Sequence, residues 1–138
     1  MVALTDEIKE VFEKHKQSFR AYPMATASAD GIPNVAPMAS VWLTDDETIW
    51  ICDNFMSKTL QNLKENPIVA IHFWNPETKR CFQVKGDVEI QTSGEDYESM
   101  YARVKKEKPH HPAKSLIVIK ITGVFECTPG KNAGMKVL

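Results

Sequence analysis

Between Ala25 and Glu126 the chain is cut into six short runs of β-favourable residues: Ala25 to Ala29, Val35 to Leu43, Thr48 to Cys52, Ile68 to Phe73, Arg80 to Gln91 and Ser115 to Glu126. Turn-forming or helix-forming stretches separate them, so the runs read as strands. Strands that outnumber helices, with the helices serving as connections, argue against a doubly wound sheet. They point to a small closed or nearly closed barrel capped by helices, an arrangement that hides exposed strand edges.

The connections have their own chemistry. Asp30-Gly31 tolerates positive φ and predicts a hairpin between the first two runs, and Thr44-Asp45-Asp46-Glu47 supplies the next turn, so the first three runs should form an antiparallel meander. Pro33 and Pro37 have no N–H to give to a ladder. The start of the second run therefore belongs at an edge, at a bulge, or where a ligand meets the backbone. Before the first run, Thr5 is a capping residue ahead of Asp6 and Glu7, and Ile8, Val11, Phe12, His15 and Phe19 share one helical face. His15 on that stripe has no companion at metal-ligand spacing and reads as a helix-surface or core-edge residue. Ser93-Gly94-Glu95-Asp96 resembles a capping box ahead of Tyr97, Met100, Tyr101 and Val104, which recur at helical spacing. The last segment, residues 127–138, contains Pro and Gly and predicts an extended tail lying on a partner subunit.

Met56 to Ile71 carries the most chemistry. Ser57 stands where a helix cap should be, Lys58 and Thr59 follow in the first turn, Leu60 and Leu63 form a short apolar stripe, and Asn66-Pro67 stops the helix. The start of such a helix presents free N–H groups and about half a positive charge. Together with two hydroxyls and the Lys58 ammonium it forms a compact anion site suited to a phosphate. The plainer alternative is that Ser57 caps the helix and Lys58 is solvated.

A chain of 138 residues with 43% hydrophobic content suits a single domain, with a helix over residues 1–20. Its formal charge of -1 argues against a basic nucleic-acid surface. Cys52, Cys81 and Cys127 lie far apart with no CxxC pair, which indicates reduced thiols rather than a zinc knuckle or a disulfide framework. The N-terminal segment is charged and amphipathic, unlike a signal peptide or a membrane span, so a cytoplasmic protein without membrane contact is expected. There is no Ser-His-Asp arrangement, no paired-carboxylate motif and no glycine-rich nucleotide loop; Asp45-Asp46 is a turn.

The patterns DGIPNVAPM, LTDDETIWICDN, SKTLQNLKENPIVAI and FQVKGDVEI, spread over Tyr22 to Glu126, resemble the pyridoxamine 5'-phosphate oxidase-like family of FMN-binding split barrels. The resemblance implies a six-stranded antiparallel split β-barrel of Greek-key type with an N-terminal helix and connecting helices. It also implies a homodimer with FMN in the groove between subunits. By position, Ser57, Lys58 and Thr59 match the segment that holds the FMN phosphate. Pro37, Met38, Ala39 and Ser40 would face the isoalloxazine through backbone groups, and Cys52 and Asp53 would lie close to the flavin. Cys52 reads equally as a small buried strand residue.

Several positions depart from the family. A flavin-facing Gln of many relatives aligns best with Cys81, whereas this chain has Gln83 two residues later on the same face. Either a bulge returns Gln83 to the flavin or Gln83 is a barrel-surface residue. The phosphate segment has Ser57 where Arg is common, and the tail lacks the Arg and His with which authentic pyridoxamine phosphate oxidases hold substrate. That particular reaction is disfavoured. His110-His111 is a poor replacement, because consecutive residues point apart. Phe55, just before the phosphate helix, is a candidate ring neighbour. The resemblance thus implies an FMN-dependent oxidoreductase acting on an unidentified small substrate or electron donor. The alternatives are a flavin-binding electron carrier or storage protein, and a barrel that takes haem, a deazaflavin or an oligonucleotide.

Overall fold

Thr5 opens the first helix, α1 (Asp6–Phe19), from an extended conformation, its hydroxyl accepting the Ile8 N–H at 3.3 Å while Asp6 and Glu7 occupy the positive end of the dipole. The computed structural model describes residues 2–138. Arg20, at φ 65°, ends the helix. Ile8, Val11, Phe12 and His15 are buried as the spacing predicts. Phe12 stacks on Tyr22 with ring centroids 4.4 Å apart and meets Phe73 edge-on at 5.2 Å. The Tyr22 hydroxyl donates to the Phe12 carbonyl at 2.7 Å, so this deeply buried phenol is satisfied. Phe19 instead lies at the rim, stacked on Trp74.

Seven strands follow, against six expected. They are β1 (Tyr22–Ala27), β2 (Pro33–Met38), β3 (Val41–Asp45), β4 (Thr48–Asp53), β5 (Ile68–Trp74), β6 (Cys81–Gln91) and β7 (Ser115–Glu126). One sheet contains them all, in the order β2-β1-β5-β6-β7-β4-β3. The run Val35 to Leu43 is broken at Ala39-Ser40: β2 pairs with β1, and β3 with β4. The expected three-strand meander is therefore two separate hairpins. The prolines explain the break, since Pro33 and Pro37 leave β2 short of donors and hold it at the sheet edge, where such residues are tolerated. The Asp30-Gly31 turn forms as predicted, with Gly31 at φ 86°.

Ala39 and Ser40 are the only residues between β2, one edge of the sheet, and β3, the other. Three Cα steps reach at most about 11 Å. Seven strands side by side cannot have their outer edges that close unless the sheet curls nearly shut. The result is a split barrel with a seam between β2 and β3.

Residues of β7 alternate between two cores. Ile117, Ile119 and Ile121 face the barrel interior with Met24, Ile71 and Val84, whereas Leu116 and Val118 pack under a helix with Trp42, Met100 and Val104. That helix, α3 (Glu95–Glu107), starts from Gly94 at φ 101° without any side-chain cap, so Ser93 forms no capping box. Glu95, Asp96 and Glu98 at the dipole's positive end substitute for it. A bulge shifts the β6–β7 register between Lys85 and Gly86. The tail does not extend away. It turns at Gly130 to Gly134 and returns along its own β7, where Val124 and Glu126 donate to the Leu138 and Met135 carbonyls. No described helix is long and apolar enough to cross a membrane.

Candidate functional site

The mid-chain helix is α2 (Lys58–Glu65), ended at Asn66. Leu63 is buried beneath it, Met56 and Leu60 pack partly buried on the same core, and amides and hydroxyls also anchor its start. Asn34 on β2 donates to Thr26 at 3.2 Å and to Thr59 at 3.1 Å, and Asn62 donates to Thr26 at 3.0 Å. Thr26 is thus the hub that joins β1, β2 and α2. Ser57 occupies the cap position, yet its hydroxyl makes no capping bond. The first-turn amides consequently have no side-chain partner, and no ion pair engages Lys58 among the described residues. The first intrahelical amide is Gln61, donating to the Ser57 carbonyl at 3.1 Å.

These free donors open onto a cavity of about 370 Å³ at the seam of the barrel. Among the residues expected at the site, Pro37, Met38, Ala39 and Ser40 line one wall, Cys52 another, and Ser57, Lys58 and Thr59 the α2 end. Phe55, 73% exposed, also lines it. No carboxylate does, so the lining is neutral to cationic throughout.

Two expected residues lie elsewhere. Asp53 is fully buried and shapes the loop into α2: its Oδ1 accepts the Met56 N–H at 3.0 Å and its Oδ2 the Ser115 hydroxyl at 3.0 Å. Gln83 sits on the outer face of β6, opposite His72 and Phe125, away from the cavity of its own chain; Cys81 is absent from the lining too. The bulge that could re-aim a β6 residue comes later, at Lys85/Gly86.

Asn54 and His111 are cavity residues that the sequence patterns did not assign. The Asn54 amide oxygen accepts both the Cys52 thiol at 3.3 Å and the Ala113 N–H at 3.0 Å, and so ties the α3–β7 loop to β4. Burial pushes the Cys52 thiol up to about 11, with the neighbouring Asp53 carboxylate adding to the effect. At neutral pH it is a protonated hydrogen-bond donor, not a nucleophile. His15, by contrast with His111, is fully employed: its Nε2 donates to the Ala21 carbonyl at 2.7 Å and its Nδ1 accepts the Trp74 N–H at 2.9 Å.

A phosphate-grade helix start at the seam of a split barrel is what the sequence resemblance implies, and the family comparison agrees: the pyridoxamine 5'-phosphate oxidase profile matches residues 4–128. The chain belongs to this family. An uncharacterized protein of Methanocaldococcus jannaschii is 38% identical over 97% of this chain and 87% of its own length. Among solved structures, HupZ of Group A Streptococcus superposes with a TM-score of 0.77 at 28% identity, covering 97% of this chain and all (100%) of that one. An FMN-binding protein from Syntrophomonas wolfei gives 0.73 at 19% identity over 91% of each chain. HutZ, the heme storage protein from Vibrio cholerae, gives 0.65 at 19% identity, with 91% and 95% covered.

Proposed function

We propose that this family member binds FMN at the barrel seam and acts as an FMN-dependent oxidoreductase on a small substrate, and that it is not an authentic pyridoxamine phosphate oxidase. The observation that carries the proposal is the uncommitted donor set at the start of α2. Ser57 Oγ, the Lys58 ammonium and the first-turn amides face a cavity with no carboxylate in its wall. That combination fits a doubly charged phosphate ester and disfavours a cationic ligand.

FMN supplies the electron chemistry when bound, and the chain's residues hold it and exclude alternatives. Lys58, Ser57 and Thr59 take the phosphate. Pro37 and Met38, on the edge strand β2, and Ala39 offer a backbone wall whose outer side no strand pairs with, while the Ser40 carbonyl is taken by the Cys52 N–H at 3.0 Å. Cys52, Met38 and Met56 give the cavity apolar, polarizable lining.

The same reading includes a homodimer. On the outer face of β2-β1-β5, Val35 (67% exposed) and Ile68 (51%) lie beside Ala25 and Ala70, an apolar strip that a symmetric partner would cover. Gln83 lies on the same outer side of the sheet, on β6.

Purification under mild conditions tests the cofactor directly. Yellow protein that releases FMN on denaturation supports the reading. Red protein with a Soret band overturns it in favour of haem. Flavin that is reduced by a nicotinamide donor and reoxidised by a small acceptor faster than by oxygen marks an enzyme. Flavin that no small acceptor reoxidises beyond the oxygen rate marks a carrier or store.

A further inference from the structure

His15 is buried and His111 half-buried, each beside an aromatic ring, and only His15 has a structural task. His15 uses both ring nitrogens in hydrogen bonds. His111 uses neither among the described residues, and its Nδ1 is shielded from solvent with no partner. A buried polar atom without a partner is uncommon enough to need a reason.

The backbone around His111 is, by contrast, heavily fixed. Its N–H donates to the Lys108 carbonyl at 3.0 Å, and its own carbonyl accepts the Lys105 ammonium at 2.7 Å. Two residues on, Ala113 is held by Asn54 at 3.0 Å and by the Tyr97 hydroxyl at 2.9 Å, and Lys114 donates to the Asp53 carbonyl at 2.8 Å. The loop thus carries an unoccupied imidazole to the cavity wall, edge-on to Phe55 at 5.5 Å between centroids. No hydrogen bond restrains the ring. The ring is therefore free to turn about χ2, a soft torsion, and offer a nitrogen to a ligand in the cavity that it lines.

We propose that His111 is a ligand-contacting residue of this site, donating a hydrogen bond to an acceptor atom of the bound flavin. This rests on the FMN reading above. Phe55 meets the imidazole edge-on, and Asn54 holds the loop in place, acting through Ala113 as a positioning residue.

The test pairs two substitutions with a spectroscopic readout. His111→Phe keeps a ring against Phe55 and removes the nitrogens; His111→Gln keeps a donor. FMN affinity is measured by quenching of flavin fluorescence, and the imidazole nitrogens of His110 and His111 are followed by 15N NMR with and without one equivalent of FMN. The expected result is that His111→Phe binds FMN roughly five- to thirtyfold more weakly, the cost of one lost hydrogen bond to a ligand. His111→Gln should stay within about threefold of the unsubstituted chain, and the His111 ring signals should shift on loading while those of His110 stay put. Undiminished affinity in His111→Phe with unmoved His111 signals overturns the role of His111 and leaves FMN binding intact. Failure of the unsubstituted protein to take FMN overturns both.

Discussion

Lys58→Ala separates a phosphate site from an ordinary helix start, because the two readings assign opposite consequences to the same change. Lys58 is exposed and engages no carboxylate, so its removal leaves the unliganded fold within about 0.5 kcal/mol of its original stability. In the FMN complex the ammonium makes a charge-assisted contact worth about 1.5–3 kcal/mol. At 1.4 kcal/mol per decade, affinity falls roughly ten- to hundredfold. Riboflavin supplies the internal control, since it has the ring and ribityl chain without the phosphate. Titration of both ligands by fluorescence quenching, at two salt concentrations, should show the loss for FMN alone and a weaker salt dependence in the variant. Equal weakening for FMN and riboflavin would refute the reasoning, because Lys58 would then be acting on the ring or on the cavity's shape. Ser57→Ala extends the argument: its hydroxyl caps nothing in the free protein, so the variant should retain its melting temperature while losing FMN affinity.

Three further outcomes test the scaffold and the chemistry of its walls. Gly86→Ala places a β-carbon 2.5 Å from Ile119 Cγ2 and 2.8 Å from the Lys120 carbonyl oxygen; the β6–β7 bulge must shift, costing about 1–3 kcal/mol in urea unfolding, and an unchanged midpoint would show that the bulge is pliant. Burial lowers the His15 pKa below its ordinary 6.5, as burial and the nearby His15 do for His72. The unfolded chain therefore takes up protons first, and stability is full above about pH 6.5 and declines as pH falls toward the folded values; His15→Gln should flatten that decline. Cys52, with its thiol near 11, is ionised to only about 0.03% at pH 7.5, so iodoacetamide should label it in urea and not in buffer, and rapid native labelling would contradict the packing described for it.

What the sequence made legible follows from how local the responsible physics is. The last four strand runs, the Asp30-Gly31 turn, the Thr5 cap and the extent of α2 rest on neighbouring residues, and each appears where its signal lies, whereas the run Val35 to Leu43 splits into β2 and β3. The two prolines left an edge, a bulge or a ligand-facing backbone open for β2, and the edge is what the sheet order realises. They did not show that the chain would then cross to the opposite edge, because that depends on curling the whole sheet. Ser93 failed as a cap for a similar reason, since Gly94 takes a positive φ that carries Ser93 out of register with the first turn.

At the site, Ser57, Lys58 and Thr59 were visible as one contiguous helix start. Asn34 and Asn54 were not, because their importance comes from partners at long range: Asn34 meets Thr59, and Asn54 meets Ala113 across 59 residues of chain. Their only local sign is a polar amide within or just after a strand. The tail's return along β7 is likewise a tertiary preference, made through backbone groups that carry no sequence signature.

The seam of the barrel is crossed by covalent chain, at Ala39-Ser40, rather than by a ladder of hydrogen bonds. At that end its two edges cannot part farther than the dipeptide stretches. The cavity, one wall of which is this stitch, thus has a stop built into the main chain, and adapting it to a bulkier guest calls for lengthening the stitch by a residue or two. Exchanging side chains around it alters grip while leaving the aperture as it was.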